Sequence, residues 1–455
     1  MLKRMRSFLV LVMLFIAVTM SAQVTTATMS GKVTAQDEPI IGATIVAVHE
    51  PSGTRYGTVT NVSGQFNLQG MRTGGPYKVE ISYVGYQTAI YKGINLLLGE
   101  NYVLNVSLKE SSELLDEVVV TASKESNMKS DRAGAIMNAN RDMINSTPTI
   151  SRSISDIMRL SPQGADVGNG FAVGGGNYRQ SFVTVDGAAF NNTFGLGGNL
   201  PANGSPISLD ALEQVTVAVT PFDVRQSGFT GGAINAVTRS GDNQFRGTVY
   251  GYFNNENLRG DRVEDYKLTR SKSQYYTYGA SFGGPIIKDK LFFFVNGEYE
   301  DNVTAGSSYQ PRTSLDQEYT GNVRRPVENT IVDGNETWVG LNDMRQYLKE
   351  KYNYDPGRYN NYSVNTPAYR IMARLDWNAN LNNKLSLRFT KTHTKDSNFP
   401  SSSTSPLSAD DIYPGDTGLG IPKGKDSGRS TKYSMSFENS NYYQVRDFTS
   451  VAGEW

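Results

Sequence analysis

Between residues 369 and 381 the chain alternates residue by residue. Tyr369, Ile371, Ala373, Leu375, Trp377, Ala379 and Leu381 hold the odd positions, and Arg370, Met372, Arg374, Asp376, Asn378 and Asn380 the even ones. A period of two puts the apolar set on one face of a strand and the polar set on the other. Leu291, Phe293, Val295 and Tyr299 oppose Asn296, Glu298 and Glu300 in the same way. So do Leu385, Leu387 and Phe389 against Ser386, Arg388 and Thr390, and Tyr433, Met435 and Phe437 against Lys432, Ser434, Ser436 and Glu438. Residues 245–254 and 275–283 repeat the pattern more weakly. With a last strand running to Trp455, about seven strands are expected between 244 and 455.

The connections run long (255–274), short (284–290), long (301–368), short (382–384), long (391–431), then short near Asn439. A soluble sheet with one buried face alternates too. The regular exchange of long and short connections separates the two cases, because outer-membrane barrels have short periplasmic turns and long extracellular loops. Tyr299, Tyr369 and Trp377 fall near strand ends, where interfacial aromatic residues sit. Seven strands leave two open edges, which lipid does not tolerate. The expectation is the start of a transmembrane β-barrel, incomplete here, with the rest supplied by further residues or by a second chain.

Ahead of this region, short β-rich runs at Val33, 40–48, 58–60, 65–68, 77–83 and 102–108 are separated by turn signals such as Pro51-Ser52-Gly53, Ser63-Gly64 and Gly74-Gly75-Pro76. That spacing predicts a small β-sandwich over 29–108. Residues 133–240 mix signals. A short helix is expected at 153–160, with Ile154, Ile157, Met158 and Leu160 on one face, stopped by Ser161-Pro162. Strands are expected at 181–186 and 214–219, with a turn at Asp186-Gly187. Between the two regions lies Leu115-Asp116-Glu117-Val118-Val119-Val120-Thr121-Ala122, followed by a polar run to Arg132. It has strand propensity but no local turn or strand to pair with. It is either the last strand of the preceding domain or a lone strand waiting for a partner's edge.

Composition narrows the chemistry. The 455 residues carry 44 basic and 44 acidic side chains, so no nucleic-acid footprint appears. Absence of cysteine excludes disulfides and thiolate metal sites. His49 and His393 are far apart, and no Ser-His-Asp set, metal cluster or carboxylate pair stands out. Neither an enzyme nor a cofactor is expected. The glycines of 168–176 lack the Lys-Ser/Thr of a phosphate loop. Lys3, Arg4 and Arg6, the apolar run 8–18 and Ser21-Ala22 predict a cleaved signal peptide over 1–22. No other window resembles a transmembrane helix, so membrane insertion would use strands.

Several motifs carry family resemblances. Gly31-Lys32-Val33, Pro39-Ile40-Ile41-Gly42-Ala43, Thr60-Asn61-Val62-Ser63-Gly64-Gln65-Phe66 and Gly85-Tyr86 resemble the carboxypeptidase regulatory-like domain. That family is an immunoglobulin-like sandwich and implies no peptidase activity. Leu160-Ser161-Pro162, Val183-Thr184-Val185-Asp186-Gly187, residues 209–217 and Gly231-Gly232-Ala233-Ile234-Asn235-Ala236-Val237-Thr238 resemble the plug of TonB-dependent outer-membrane receptors. Residues 281–294 and 221–229 resemble the Oar-like branch of those receptors, which carries a regulatory-like domain in front. The plug ending departs from the SusC branch, so a glycan substrate is not implied. The resemblance implies a mainly β protein of the cell outer membrane: signal peptide (1–22), Ig-like sandwich (29–108), TonB box and linker (109–132), α/β plug (133–240) and first barrel strands (244–455).

The resemblance also places the TonB box at Asp116, Glu117, Val118, Val119, Val120, Thr121 and Ala122. TonB, with its inner-membrane energising complex, would capture this unpaired segment as an added strand. Pulling would loosen the plug and admit an unidentified nutrient ligand. Outer-membrane lipid is the remaining partner. A helix is expected at 342–351 within the loop 301–368. The loop aromatics Tyr309, Tyr319, Trp338, Tyr352 and Tyr354 are candidate ligand contacts, with packing of the loop itself as the alternative. The competing function is an interaction or adhesion protein that binds a partner through its β-sandwich.

Overall fold

The computed structural model describes residues 25–110, 118–121, 136–149, 152–167, 170–192, 200, 205–219, 229–258, 260, 262–263, 266–267, 272–307, 309–319, 322–381, 383–399 and 434–455. The expected signal peptide lies outside the described residues, as does most of 221–229.

The N-terminal unit holds β1 (Ala27–Ala35), β2 (Glu38–Pro39), β3 (Thr44–His49), β4 (Thr54–Val59), β5 (Gln65–Met71), β6 (Gly74–Ser82), β7 (Ala89–Leu96), β8 (Asn101–Val103) and β9 (Val106–Ser107). One sheet gathers β2, β5, β8 and β9 around β1, and the other runs β7-β6-β3-β4. Met29, Val33 and Phe66 from the first meet Ile45, Ala47, Tyr77 and Val79 from the second in one core, as two half-buried sheets require. Gly31 is needed where β1 passes the chain at Leu104, since a Cβ there would lie 1.8 Å from the Leu104 carbonyl oxygen. The strand β7 goes beyond the runs expected from the sequence. Its ladder pairs Tyr77 with Ile94 and Val79 with Tyr91, so Lys92 and Gly93 bulge opposite Lys78 and break the period. Ala89, Ile94 and Leu96 nevertheless reach the core. A further strand, β10 (Val118–Thr121), lies parallel to β7 at the sheet edge.

The central unit holds β11 (Ile136–Ala139), α1 (Arg141–Ser146), α2 (Ile154–Met158), β12 (Gly164–Asp166), β13 (Phe171–Val173), β14 (Ser181–Val185), β15 (Ala188–Ala189), β16 (Leu212–Ala218) and β17 (Gly232–Thr238). Its main sheet runs β11-β16-β17-β14-β15. The hydroxyl of Ser153 accepts from the Ser155 amide, and Asp156 reaches back to the Ser153 amide, which fixes the start of α2. Ile154, Ile157 and Met158 are then buried, while Leu160 is not. Asp186 and Gly187 both have positive φ, as the tight turn from β14 to β15 demands.

The rest of the chain holds β18 (Arg246–Asn255), β19 (Arg262–Val263), β20 (Tyr266–Lys267), β21 (Ser273–Ile287), β22 (Leu291–Ala305), β23 (Gln310–Arg312), β24 (Val323–Val327), β25 (Ile331–Asp333), β26 (Glu336–Trp338), α3 (Leu341–Tyr352), β27 (Ser363–Asn378), β28 (Lys384–Asn398) and β29 (Tyr442–Glu454). Six of these strands form an antiparallel meander, β18-β21-β22-β27-β28-β29, which is not closed among the described residues. Among the described residues the meander has six strands, against about seven expected between 244 and 455. Residues 434–437 lie outside any strand, and Glu438–Ser440 is a single 3₁₀ turn. The amides of Glu438 and Asn439 donate to the carbonyls of Arg358 and Pro356. The alternating stretch there docks on a loop instead of joining the sheet.

Several charged residues of the meander's middle strands are buried, and many of the large apolar ones there are exposed. Ile371, Leu375 and Trp377 are 46%, 42% and 50% exposed, while Arg370 and Arg374 are 2% and 6% exposed. A sheet in water does the reverse; a barrel wall in lipid does this. Cross-strand pairing sets Tyr278, Tyr299, Tyr369 and His393 in one outward row. Of the three aromatics expected near strand ends, Trp377 is next to last in its strand, whereas for Tyr299 and Tyr369 β22 continues to Ala305 and β27 starts as early as Ser363. The aromatic row therefore lies within strands that project past it.

His49, at the end of β3, ties the N-terminal unit to the meander. Its Nδ1 lies 2.7 Å from Ser52 Oγ, which lies 2.7 Å from Thr54 Oγ1. Thr54 Oγ1 in turn accepts from Asn378 Nδ2 at 2.8 Å. Burial, helped by the Arg72 charge, lowers the His49 pKa from 6.5 to about 3. The unfolded chain thus binds a proton between pH 6.5 and 3 that the folded chain refuses. The stability tied to neutral His49 is complete above pH 6.5 and falls as pH drops towards 3. Hydrogen exchange of the β3 amides, corrected for intrinsic rates, is expected to accelerate from pH 7 to pH 4.5, and His49→Gln is expected to flatten that dependence.

Candidate functional site

Two features converge on function: the seat between the central unit and the polar face of the meander, and the segment β10. The seat is built on Arg370. Its guanidinium meets Glu298 at 2.9 Å and Glu300 at 2.7 Å, and its Nε donates to the Ser205 carbonyl of the central unit. Glu298 is the direct cross-strand partner of Arg370. The other Glu298 oxygen accepts from the Tyr250 hydroxyl at 2.5 Å and from Ser208 Oγ at 2.9 Å. Gly279 makes room for this, because a Cβ there would lie 2.1 Å from the Tyr250 ring. Thr392 donates to the Pro206 carbonyl at 2.8 Å.

A second cluster lies nearer the short turns. Arg374 donates to the Thr238 carbonyl at 2.7 Å and pairs with Asp376 at 2.9 Å. Asp186 accepts from the Thr238 amide and hydroxyl. Asp210 of the central unit binds Arg141 at 3.1 Å and accepts from Thr248 of β18 at 2.6 Å. Burial pushes the Asp210 carboxyl up, but hydrogen bonds from Ser281 and Thr248 and the charges of Arg141 and Arg239 outweigh it. The carboxyl stays below its ordinary value and ionised. Apolar contacts complete the seat: Phe294 and Met372 join the central core, and Phe190 meets Phe448 at 4.3 Å between ring centres.

The N-terminal unit closes the short-turn end. The Asn243 amide donates to the Pro51 carbonyl, and Asn243 exchanges side-chain and backbone bonds with Asp289 in the β21–β22 turn. The ammonium of Lys384 sits 3.5 Å from the centre of the Tyr56 ring. On the central side, the Leu98 amide donates to Gln214 and Asn138 donates to Glu100. A cavity of about 370 Å³ remains where the three units meet, lined by Arg72, Arg239, Arg374, Asp376 and Glu454 among others. Arg374 is already paired with Asp376 and Arg388 with Glu454. No group of metal-ligating residues occurs among the described residues.

Of the two readings of the segment around Val118–Thr121, a lone unpaired strand and a last strand of the preceding domain, the described residues match the second. Val118, Val119, Val120 and Thr121 pair in register with Ala89, Ile90, Tyr91 and Lys92 of β7. Asp116, Glu117 and Ala122 lie outside the described residues. The pairing is parallel, short and at an edge, so it is weak. Even four backbone hydrogen bonds at roughly 0.5–1.5 kcal/mol each give only a few kcal/mol.

The loop aromatics divide into two groups. Tyr309 stacks under Arg324, Tyr319 under Arg312, and Trp338 under Arg312 and Arg325. These three arginines are buried, so the rings hold the loop together. Tyr352 packs edge-on to Tyr347 on α3, yet it is 61% exposed, and Tyr354 is 47% exposed. Nothing in the sequence marks Ser205, Ser208, Asp210 or Arg370 as a set. The detectable signal was opposite charge at even positions of two alternating strands, but the long loop between them hides the register.

Two family models match the chain. Residues 237–423 match an outer membrane beta barrel domain, and residues 28–109 match a carboxypeptidase regulatory-like domain. Among curated proteins, the TonB-dependent transporter Oar of Myxococcus xanthus is 25% identical over 300 residues, covering 63% of this chain and 26% of that protein. The TonB-dependent receptor SusC of Bacteroides thetaiotaomicron is 29% identical over 221 residues, covering 45% and 20%. Among solved structures, the siderophore receptor PirA of Acinetobacter baumannii is 18% identical with a TM-score of 0.36, over 61% of this chain and 34% of that one. That score is too low to argue from. Over the matched residues the chain is thus similar to a regulatory-like domain, to an outer membrane beta barrel domain and to TonB-dependent receptors and transporters. Oar carries the name of a transporter and SusC that of a receptor. The chain spans 26% of the length of Oar and 20% of that of SusC.

The seat gives a stability prediction. Arg370→Met leaves Glu298 and Glu300 buried without their counter-charge, which is expected to cost about 3–5 kcal/mol. The urea midpoint of the protein should fall accordingly. Adding Glu298→Gln and Glu300→Gln should recover most of the loss.

Proposed function

We propose that this chain serves in a TonB-dependent outer-membrane receptor and active transporter for an unidentified nutrient. The observation that carries the reading is the inverted meander, with its polar face filled by the central unit. In this reading the N-terminal unit is the Ig-like regulatory-like domain and the central unit is the plug. The meander is part of a barrel wall that further strands close, since open edges are costly in lipid. A signal peptide over 1–22 takes the chain across the inner membrane.

The outer membrane has no ATP supply, so energy must enter from the periplasmic side. The proposed entry point is the TonB box, Asp116–Ala122, captured by TonB as an added strand. It lies directly before the plug in sequence, so a pull on it loads the plug first. What such a load must break is the seat around Arg370, Arg374 and Asp210, which is made of hydrogen bonds and ion pairs. These can re-form after the plug returns. On the outer side, the exposed Tyr352 and Tyr354 are better placed for ligand than Tyr309, Tyr319 and Trp338, which hold the loop.

Val119→Pro tests the reading, because proline removes a ladder donor without adding charge. In the full receptor it is expected to abolish uptake and TonB pull-down while leaving ligand binding to whole cells unchanged. Undiminished uptake would count against the assignment of the box.

A further inference from the structure

The pairing of β10 with β7 goes beyond the TonB-box reading and rests on it. We propose that the β7 edge of the N-terminal unit is the resting dock of the TonB-capture segment, and that TonB obtains the segment by exchange with β7. The N-terminal unit would then set how readily the receptor engages its energy source.

Three observations support exchange at this edge. First, the two partners are held unequally. β7 pairs with β6 along its length and sends Ala89, Ile94 and Leu96 into the core. Among the described residues β10 has one neighbour and four paired residues, Val118 to Thr121. Parallel pairing is also slightly the weaker kind per residue. When the pair separates, β10 is the strand that leaves.

Second, β7 stays in place when it does. It runs into Leu98 and Glu100, which hold Gln214 and Asn138 of the central unit. Leu98 also packs on Val237. The dock is therefore fixed against the unit that the captured segment must later pull.

Third, the chain allows the departure. Residues 122–135 between β10 and β11 reach roughly 45–50 Å when extended. A contour of that length would let the segment leave β7 and be captured before tension reaches β11. Docking and capture compete for the same backbone groups, so affinity for TonB scales with the undocked fraction. A dock occupied nine-tenths of the time weakens capture about tenfold.

The sequence contains no cysteine, so an introduced pair reports cleanly. Tyr91→Cys with Val120→Cys places the two thiols on Cα partners. Glu80→Cys with Val120→Cys, one strand further in, is the control. In the full receptor the first pair is expected to cross-link under mild oxidation and the control is not. The oxidised receptor should bind the soluble periplasmic domain of TonB at least tenfold more weakly than the same receptor after reduction. Hydrogen exchange on the unsubstituted receptor supplies a second readout, with the amides of 118–121 expected to be protected until TonB is added. Free-chain exchange at 118–121 without TonB would overturn the dock. Equal TonB binding by the cross-linked and reduced forms would overturn exchange, showing capture at the open edge of β10. A reduced, cross-linkable receptor that never binds TonB would instead refute the TonB-box reading and leave the dock standing.

Discussion

A strand in lipid can offer only one face to water or to protein, and that constraint organises this chain. The meander turns Leu375, Trp377, Leu387 and Phe389 outward, and it must then bury Arg370, Arg374, Arg388, Glu298 and Glu300 on the other side. Charges in a protein interior persist only when paired and hydrogen-bonded. Here the partners come partly from neighbouring strands and partly from the central unit. Arg370 needs Glu298, Glu300 and the Ser205 carbonyl together. The central unit is therefore part of the solvation of the sheet, and the ion pairs in turn position the central unit.

This arrangement has a mechanical consequence. A seat made mainly of polar contacts breaks and re-forms at modest cost when water enters, because its groups are well solvated outside. A seat made of apolar packing would resist release more and re-form with less register. The N-terminal unit adds a second set of contacts at the short-turn end, through Asn243, Asp289, Thr54 and Asn378. It also carries the β7 edge on which β10 rests. Under the proposed function, segment, dock and seat would act in series on the same load.

Much of this was legible in the sequence where one period ran unbroken. The alternation over 369–381 marked a strand with one apolar face, and the apolar spacing of Ile154, Ile157 and Met158 marked the helix now seen at Ile154–Met158. The failures have physical causes. Of the alternating stretch near 433–437, the described residues from 434 on are too few to resist a tertiary contact, and the amides of Glu438 and Asn439 donate to the 356–358 loop instead. The bulge at Lys92-Gly93 breaks the period of β7, so the strand was overlooked. With β7 unseen, Val118–Thr121 had no partner on paper. The Arg370–Glu298 contact was hidden for a different reason. Its two residues face each other only because β22 and β27 share a register that the intervening loop conceals.

The central claim is that one face of the meander meets lipid and the other meets the central unit. A nitroxide scan of single cysteines from position 369 to 377, in the receptor in bilayers, tests it directly. Collisions with oxygen should be high at 369, 371, 373, 375 and 377 and low at the even positions between them, with a water-soluble nickel relaxant excluded from the middle of the odd set. Nickel access at 371–375, or oxygen access at 370, 372 and 374, would contradict the account.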